Sequence, residues 1–201
     1  MNYALNRTVE PSIEPVSLEE AKLHCRIDDG SDDAVLSSFI TAARIWAEDF
    51  CRRSFITSTW ELSLDEFPGC DEEIRLERPK IIAVSSITYI DTGGTTQTLS
   101  SSLYRSDVKS TPGRVTPVAG TVWPATQCDT TNTVTITFTA GYGSTAASVP
   151  QPIRTAIAII AATLSENREN VNIGNIVNTI PLVGNLSAVE SLLWPYRWTL
   201  R

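Results

Sequence analysis

The sequence predicts an α+β fold: a helical bundle, made of two N-terminal helices plus C-terminal helices, with an inserted antiparallel β region. Three observations carry this. Apolar residues recur at spacings of three and four between residues 33 and 51, the period switches to two between residues 57 and 143, and helical spacing returns after Pro150. The expected layout is a single domain over 1–201: an N-terminal arm (1–16), a helix pair (17–56), a β-rich insertion (57–143), a helix (150–170), an uncharged loop (171–186), and a short helix with an aromatic tail (187–201). At 201 residues such a domain buries roughly 70% of the surface its unfolded chain exposes. With 42% apolar and 19% charged residues, the composition is that of a folded chain.

The arm carries Pro11 and Pro15 and shows no periodicity. Ser17 followed by Glu20 is a capping box, in which hydroxyl and carboxylate each satisfy an N–H left without a partner at a helix start. Leu18, Ala21 and Cys25 then share one face of a short helix. The run Asp28-Asp29-Gly30-Ser31-Asp32-Asp33 ends it, with Gly30 expected at positive φ, and its later aspartates suit the next helix N-terminus. In that helix Val35, Leu36, Phe39, Ile40, Ala43, Trp46, Ala47, Phe50 and Cys51 form one apolar stripe, and Ser37, Ser38, Thr41, Arg44, Glu48, Asp49 and Arg52 lie opposite.

Strands follow. Trp60, Leu62 and Leu64 alternate with polar neighbours, Ile74 and Leu76 repeat the pattern, and residues 81–90 and 97–99 flank a glycine turn that reads as a hairpin. Residues 103–108 and 113–118 are shorter strands, and 133–139 alternates Val134, Ile136 and Phe138 with threonines, so one of its faces should be solvated. Pro150 and Pro152 open the next helix, whose buried stripe is Ile153, Ala156, Ile157, Ile160, Ala161 and Leu164. Residues 171–186 carry no charge, and Ser187 with Glu190 caps a last short helix that Pro195 stops.

Charge and composition exclude several functions. Sixteen basic residues against 23 acidic ones give a net charge of −7, which opposes tight binding to a phosphate backbone. Arginines outnumber lysines 13 to 3, a bias that suits protein interfaces because guanidinium contacts are planar and bidentate. No apolar run approaches the ~18 residues of a membrane span, and the N-terminus lacks a signal-peptide pattern, so a soluble protein is expected. Cys25, Cys51, Cys70 and Cys128 show no CxxC spacing and are expected as reduced thiols.

No chemistry emerges from the motifs. The single histidine, His24, adjoins Cys25, but neighbouring helical residues point in different directions, which argues against a dyad. Scattered cysteines give no zinc pattern. The Asp28–Asp33 run fails the calcium-loop pattern because Ala34 and Ile40 stand where Gly and Glu are required. No phosphate-binding glycine loop or nucleophile elbow is present. The sequence therefore predicts no enzyme, no catalytic residue, no cofactor and no metal. Two other classes stay in view. Trp60 and Trp123 could serve a carbohydrate- or ligand-binding β module, and Asp65, Glu66, Asp71, Glu72 and Glu73 could supply carboxylates to a hydrolase.

Taken in order, the motifs resemble a known family. They are PVSLEEAK at 15–22, CRRSFIT at 51–57, TWEL at 59–62, Arg78-Pro79, VSSITY at 84–89, Tyr104, GRV at 113–115, Trp123-Pro124, AGYG at 140–143, Val149-Pro150, Ile153-Arg154 and ENRE at 166–169. This order is similar to that of the head-tail connector proteins (adaptor or head-completion proteins) of long-tailed phages, prophages and gene transfer agents. The resemblance implies a structural subunit of a homo-oligomeric ring, a dodecamer, that docks beneath the portal protein and above a tail-side stopper or tail terminator protein. It implies assembly in the bacterial host cytoplasm, a place at the head-tail interface of the virion, no membrane, and DNA passing through the lumen without specific binding. Acidic walls would suit that passage, since like charge keeps the duplex from sticking. A closed ring needs two different complementary patches on each subunit. The candidates for partner contacts are Ile173, Ile176, Val177 and Ile180 in the uncharged loop, and Trp194, Tyr196, Arg197 and Trp198 in the tail.

Overall fold

The computed structural model describes residues 3–69, 72–166 and 187–199. It is an α+β structure, and the chain divides into two compact units: Met1–Ser12 with Arg53–Ser144, and Ile13–Arg52 with Thr145–Arg201.

The first unit is built of strands. In chain order these are β1 (Tyr3–Val9), β2 (Ser58–Leu64), β3 (Ile74–Leu76), β4 (Ile81–Ile90), β5 (Thr96–Thr98), β6 (Tyr104–Asp107), β7 (Gly113–Pro117) and β8 (Val134–Ala140). A five-stranded sheet runs β1-β2-β8-β4-β5 and a three-stranded sheet runs β3-β7-β6, with every pairing antiparallel. β8 sits at the centre of the larger sheet because it can offer a complete apolar face: Val134, Ile136, Phe138 and Ala140 are fully buried, while the threonines between them are partly exposed. Trp60 lies opposite Phe138 and Leu62 opposite Ile136, so the alternations of β2 and β8 point the same way into one core.

Two expectations for this unit are corrected. The arm is not without structure, because Tyr3–Val9 pairs with β2 from Tyr3↔Leu64 to Val9↔Thr59. An edge strand needs only one buried face, and the sequence YALNRTV has too few apolar residues to show a period. The hairpin strand after the glycine turn is Thr96–Thr98, one residue earlier than expected. Leu99 instead turns into the core while its N–H donates to the Ile87 carbonyl at 2.8 Å.

The second unit holds helices α1 (Leu18–Cys25), α2 (Asp33–Cys51), α3 (Gln151–Glu166) and α4 (Ser187–Leu193). The capping box at Ser17 forms as expected: Ser17 Oγ accepts the Glu20 N–H at 3.1 Å, and Glu20 Oε2 accepts the Ser17 N–H at 3.0 Å. Glu20 also pairs with Arg154 of α3, whose Nε donates to the Pro15 carbonyl at 2.9 Å, so one carboxylate both caps α1 and ties it to α3. The left-handed residue that ends α1 is Arg26 (φ 57°), not Gly30, and its N–H returns to the carbonyls of Leu23 and Lys22.

The long helix departs from its expected polar face in one respect. Arg44 and Glu48, read as solvent-facing, are 3% and 1% exposed. Arg44 Nη1 donates to Glu48 Oε2 at 3.0 Å and its Nε to Glu14 Oε2 at 2.8 Å, so the buried guanidinium is paired on both sides. Leu36, Ile40, Ala43, Ala47 and Cys51 form the buried stripe of α2, and Ile153, Ala156, Ile157, Ile160 and Ala161 that of α3. α3 packs on α1, α2 and α4. Val189 and Leu193 anchor α4 in this core. Among the described residues no helix is long and apolar enough to cross a membrane.

Candidate interaction surface

Of the partner-contact candidates, Ile173, Ile176, Val177 and Ile180 lie outside the described residues. The tail candidates are placed, and they do not hang free. The Trp198 N–H donates to the Cys51 carbonyl at 2.9 Å, and the Arg197 N–H to the Trp194 carbonyl at 3.1 Å. A single 3-10 turn over Trp194–Tyr196, closed by the Arg197 bond, continues from α4, and the Trp198 bond lays the tail against the C-terminal end of α2.

The result is a layered surface. Trp46 and Phe50, one turn apart on α2, stack with ring centroids 5.4 Å apart and planes 13° apart. The Arg197 guanidinium lies over Phe50 at 5.0 Å and over Trp194 at 5.3 Å. Trp194 is 61% exposed. Tyr196 and Trp198 are half-buried. The Trp198 backbone bond thus holds the tail to α2, while Trp194 and Arg197 are exposed.

Sequence reading missed the α2 half of this surface. Trp46, Phe50 and Phe39 were assigned to the core stripe, yet the core takes only Leu36, Ile40, Ala43, Ala47 and Cys51. The missed signal is width. At about 100° per residue, the apolar residues from Val35 to Cys51 span more than one core-facing stripe, and Ile45 adds a position beyond it. A helix apolar over that much of its circumference has a second apolar face, which here meets the tail.

Both tryptophans and two of the carboxylates behind the alternative functions are occupied elsewhere, and Asp71 lies outside the described residues. Trp60 is 4% exposed, with the guanidinium groups of Arg7 and Arg78 at 4.7 and 4.8 Å from its ring and its Nε1 donating to Ser54 and Ser58 at 2.9 Å. Trp123 stacks on Phe67 at 5.0 Å beside a cleft of about 540 Å³ and is only 7% exposed, which leaves little ring face for a sugar. The two tryptophans share no exposed face. The Asp65 carboxylate accepts the Asn132 N–H at 3.0 Å as a turn brace. Glu73 pairs with Arg114 and Arg75, hydrogen bonds that hold its carboxyl below the usual range. Asp107, bonded first by Ser110 and then by Arg114, is lowered to about 2. These carboxylates brace turns and the three-stranded sheet. Among the described residues, no group of three His, Cys, Asp or Glu side chains is placed to hold a metal ion.

Comparison with known proteins finds a family match over part of the chain and a fold match over nearly all of it. The model of the phage gp6-like head-tail connector proteins matches residues 15–107. No curated protein matches the sequence. Among solved structures, a chain of the neck of an empty GTA particle, computed with C6 symmetry, superposes with a TM-score of 0.78 at 21% identity, covering 98% of this chain and 96% of that one. A chain of the virion of a native gene transfer agent particle gives 0.76 at 22% identity, and one from the neck of the native particle, computed with C12 symmetry, gives 0.75 at 21%, both with the same coverage. The connector-family match thus covers residues 15–107, a little under half of the chain, and the chain shares the fold of gene transfer agent particle chains over almost its whole length.

Proposed function

We propose that this protein is a structural head-tail connector subunit, twelve copies of which form a ring that docks beneath the portal and links the DNA-filled head to the tail during virion assembly. The observation that carries this reading is the fold shared over 98% of the chain with a subunit from a gene transfer agent neck, joined to the connector-family match. In this reading the helices form the bundle of the ring, the β region is an insertion in it, and both compact units make one connector domain. The portal lies on one side and a stopper or tail terminator protein on the other. The subunit assembles in the host cytoplasm and performs no catalysis. A formal charge of −7 suits a lumen through which DNA must slide, because an acidic wall offers no purchase to phosphates.

The test is electron microscopy of the purified protein mixed with portal particles, alongside particles produced without it. Added density beneath the portal, and heads that fail to join tails when the protein is missing, are expected. Absence of any association, with normal head-tail joining in its absence, would overturn the reading.

A further inference from the structure

The layered surface on α2 has a chemistry that specifies its occupant. Both ring contacts of Arg197 engage its guanidinium through aromatic faces, at 5.0 and 5.3 Å, and among the described residues it meets no carboxylate. A guanidinium stacked in this way is held in orientation, while its N–H donors lie in its own plane and call for acceptors. The acceptor that matches that edge in shape and charge is a carboxylate, bound bidentately. The neighbouring Trp194 and Trp46 give the segment bearing it an apolar floor.

The same unit carries the complementary group at the other end of the same helix. Asp28 and Asp29 are exposed in the turn before α2. The Asp29 carboxylate accepts the Ser31 N–H at 3.1 Å and the Ser31 hydroxyl at 2.7 Å, which fixes it, and these bonds hold it below the usual aspartate range, so it stays charged. α2 has 19 residues and so separates the two patches by about 28 Å. That is too far for them to meet within one copy along this helix. Two different, complementary patches at opposite ends of one rigid element are what a head-to-tail contact between identical subunits requires.

We propose that Arg197, stacked between Phe50 and Trp194, receives the Asp28-Asp29 turn of a second copy of this chain, making the heterologous contact that closes the ring. The inference rests on the ring reading above and deepens it by naming the contact. Oppositely charged patches also set the order of events: they steer encounter, and the aromatic floor then retains the docked turn. Assembly should therefore weaken with added salt.

Native mass spectrometry and sedimentation of the full chain test it, using R197E and the double variant D28K/D29K, with helical circular dichroism checked to equal wild type. The wild type is expected to form closed rings, whereas each variant alone should need at least about tenfold more protein to assemble, the scale of one lost charge contact. An equal mixture of the two variants should restore rings containing both in equal number, because each interface then pairs opposite charges again. Three results would overturn the proposal. If both variants form rings as the wild type does, the contact lies elsewhere and the ring reading stands. If R197E keeps its rings but loses portal association, the surface takes a partner protein instead of a second copy. If the wild type itself stays monomeric, free and with portal particles, the ring reading falls with it.

Discussion

Gly141→Ala probes the point where β8 leaves the large sheet. Gly141 has φ +145°, a conformation open essentially to glycine alone, and a Cβ built there would lie 2.7 Å from both the Ile56 carbonyl carbon and the Thr57 nitrogen. Those atoms are backbone and cannot swing aside. They also belong to a hydrogen-bonded junction in which the Gly141 N–H donates to Lys80, the Tyr142 N–H to Phe55 and the Thr57 N–H to Gly143, at 2.9 to 3.0 Å. The strained φ costs about 1–3 kcal/mol. Forcing the two backbones apart costs a further ~1–3 kcal/mol. The sum, about 4 kcal/mol, corresponds to a fall in Tm of roughly 10 °C for a chain of this size. Gly120→Ala separates the two contributions, because Gly120 also has positive φ (+83°) but its added Cβ would meet nothing within 4 Å. That variant should lose only about 1–2 kcal/mol. Thermal unfolding followed by near-ultraviolet circular dichroism reads both. A G141A protein melting within a degree or two of G120A would show that the junction yields freely, and would refute the argument.

Three further perturbations follow from the helical unit. Arg44→Met should leave Glu48, 1% exposed, as a buried charge without its guanidinium partner, at a cost of about 3–5 kcal/mol; adding Glu48→Leu should recover part of it, as measured by urea unfolding. Leu193→Ala empties a fully buried site under α4 and should cost about 2–4 kcal/mol, so removal of the tail from Leu193 onward lowers stability as well as any partner binding. Glu20 has its pKa lowered, first by the hydrogen bond from Arg154 and next by the Ser17 N–H. Its contribution is thus complete above the unfolded value near 4.5 and is lost as pH falls through the lower folded value. Stability measured against pH below 4.5 should fall less steeply in Glu20→Gln than in the wild type, and identical slopes would count against the Arg154 contact.

Legibility followed the range of the forces involved. β8 and the core stripe of α2 were readable because each buries one face, and a buried face writes its period into adjacent residues. The capping box at Ser17 was readable because both of its hydrogen bonds join residues three apart. β1 was not, since its partner is β2, more than fifty residues away, and an edge strand needs little apolar content. Arg44 and Glu48 are read as solvated because charge is read as exposure; part of what makes their burial tolerable is Glu14, thirty residues from Arg44. In the candidate surface, Trp194 and Arg197 were chosen for their residue types, whereas Trp46 and Phe50 were hidden in a stripe assigned whole to the core. The stacking that joins the two pairs depends on where the tail is laid.

The pairing of β1 with β2 also governs how the chain can be divided and made. Residues 1–12 serve one compact unit, 13–52 the other, 53–144 the first again, and the remainder the second. No continuous stretch shorter than 1–144 contains the sheet unit, and none shorter than 13–201 contains the helical one. On the ribosome β1 emerges before β2 and β8 and must wait for both, and the helices α1 and α2 likewise wait for α3 and α4. Completion of the sheet unit thus waits for residues up to 144, and that of the helical unit for residues beyond it. The stacked layer of Trp194 and Arg197 on Phe50 likewise joins residues more than 140 positions apart, so it exists only after α2 and the tail have both been made.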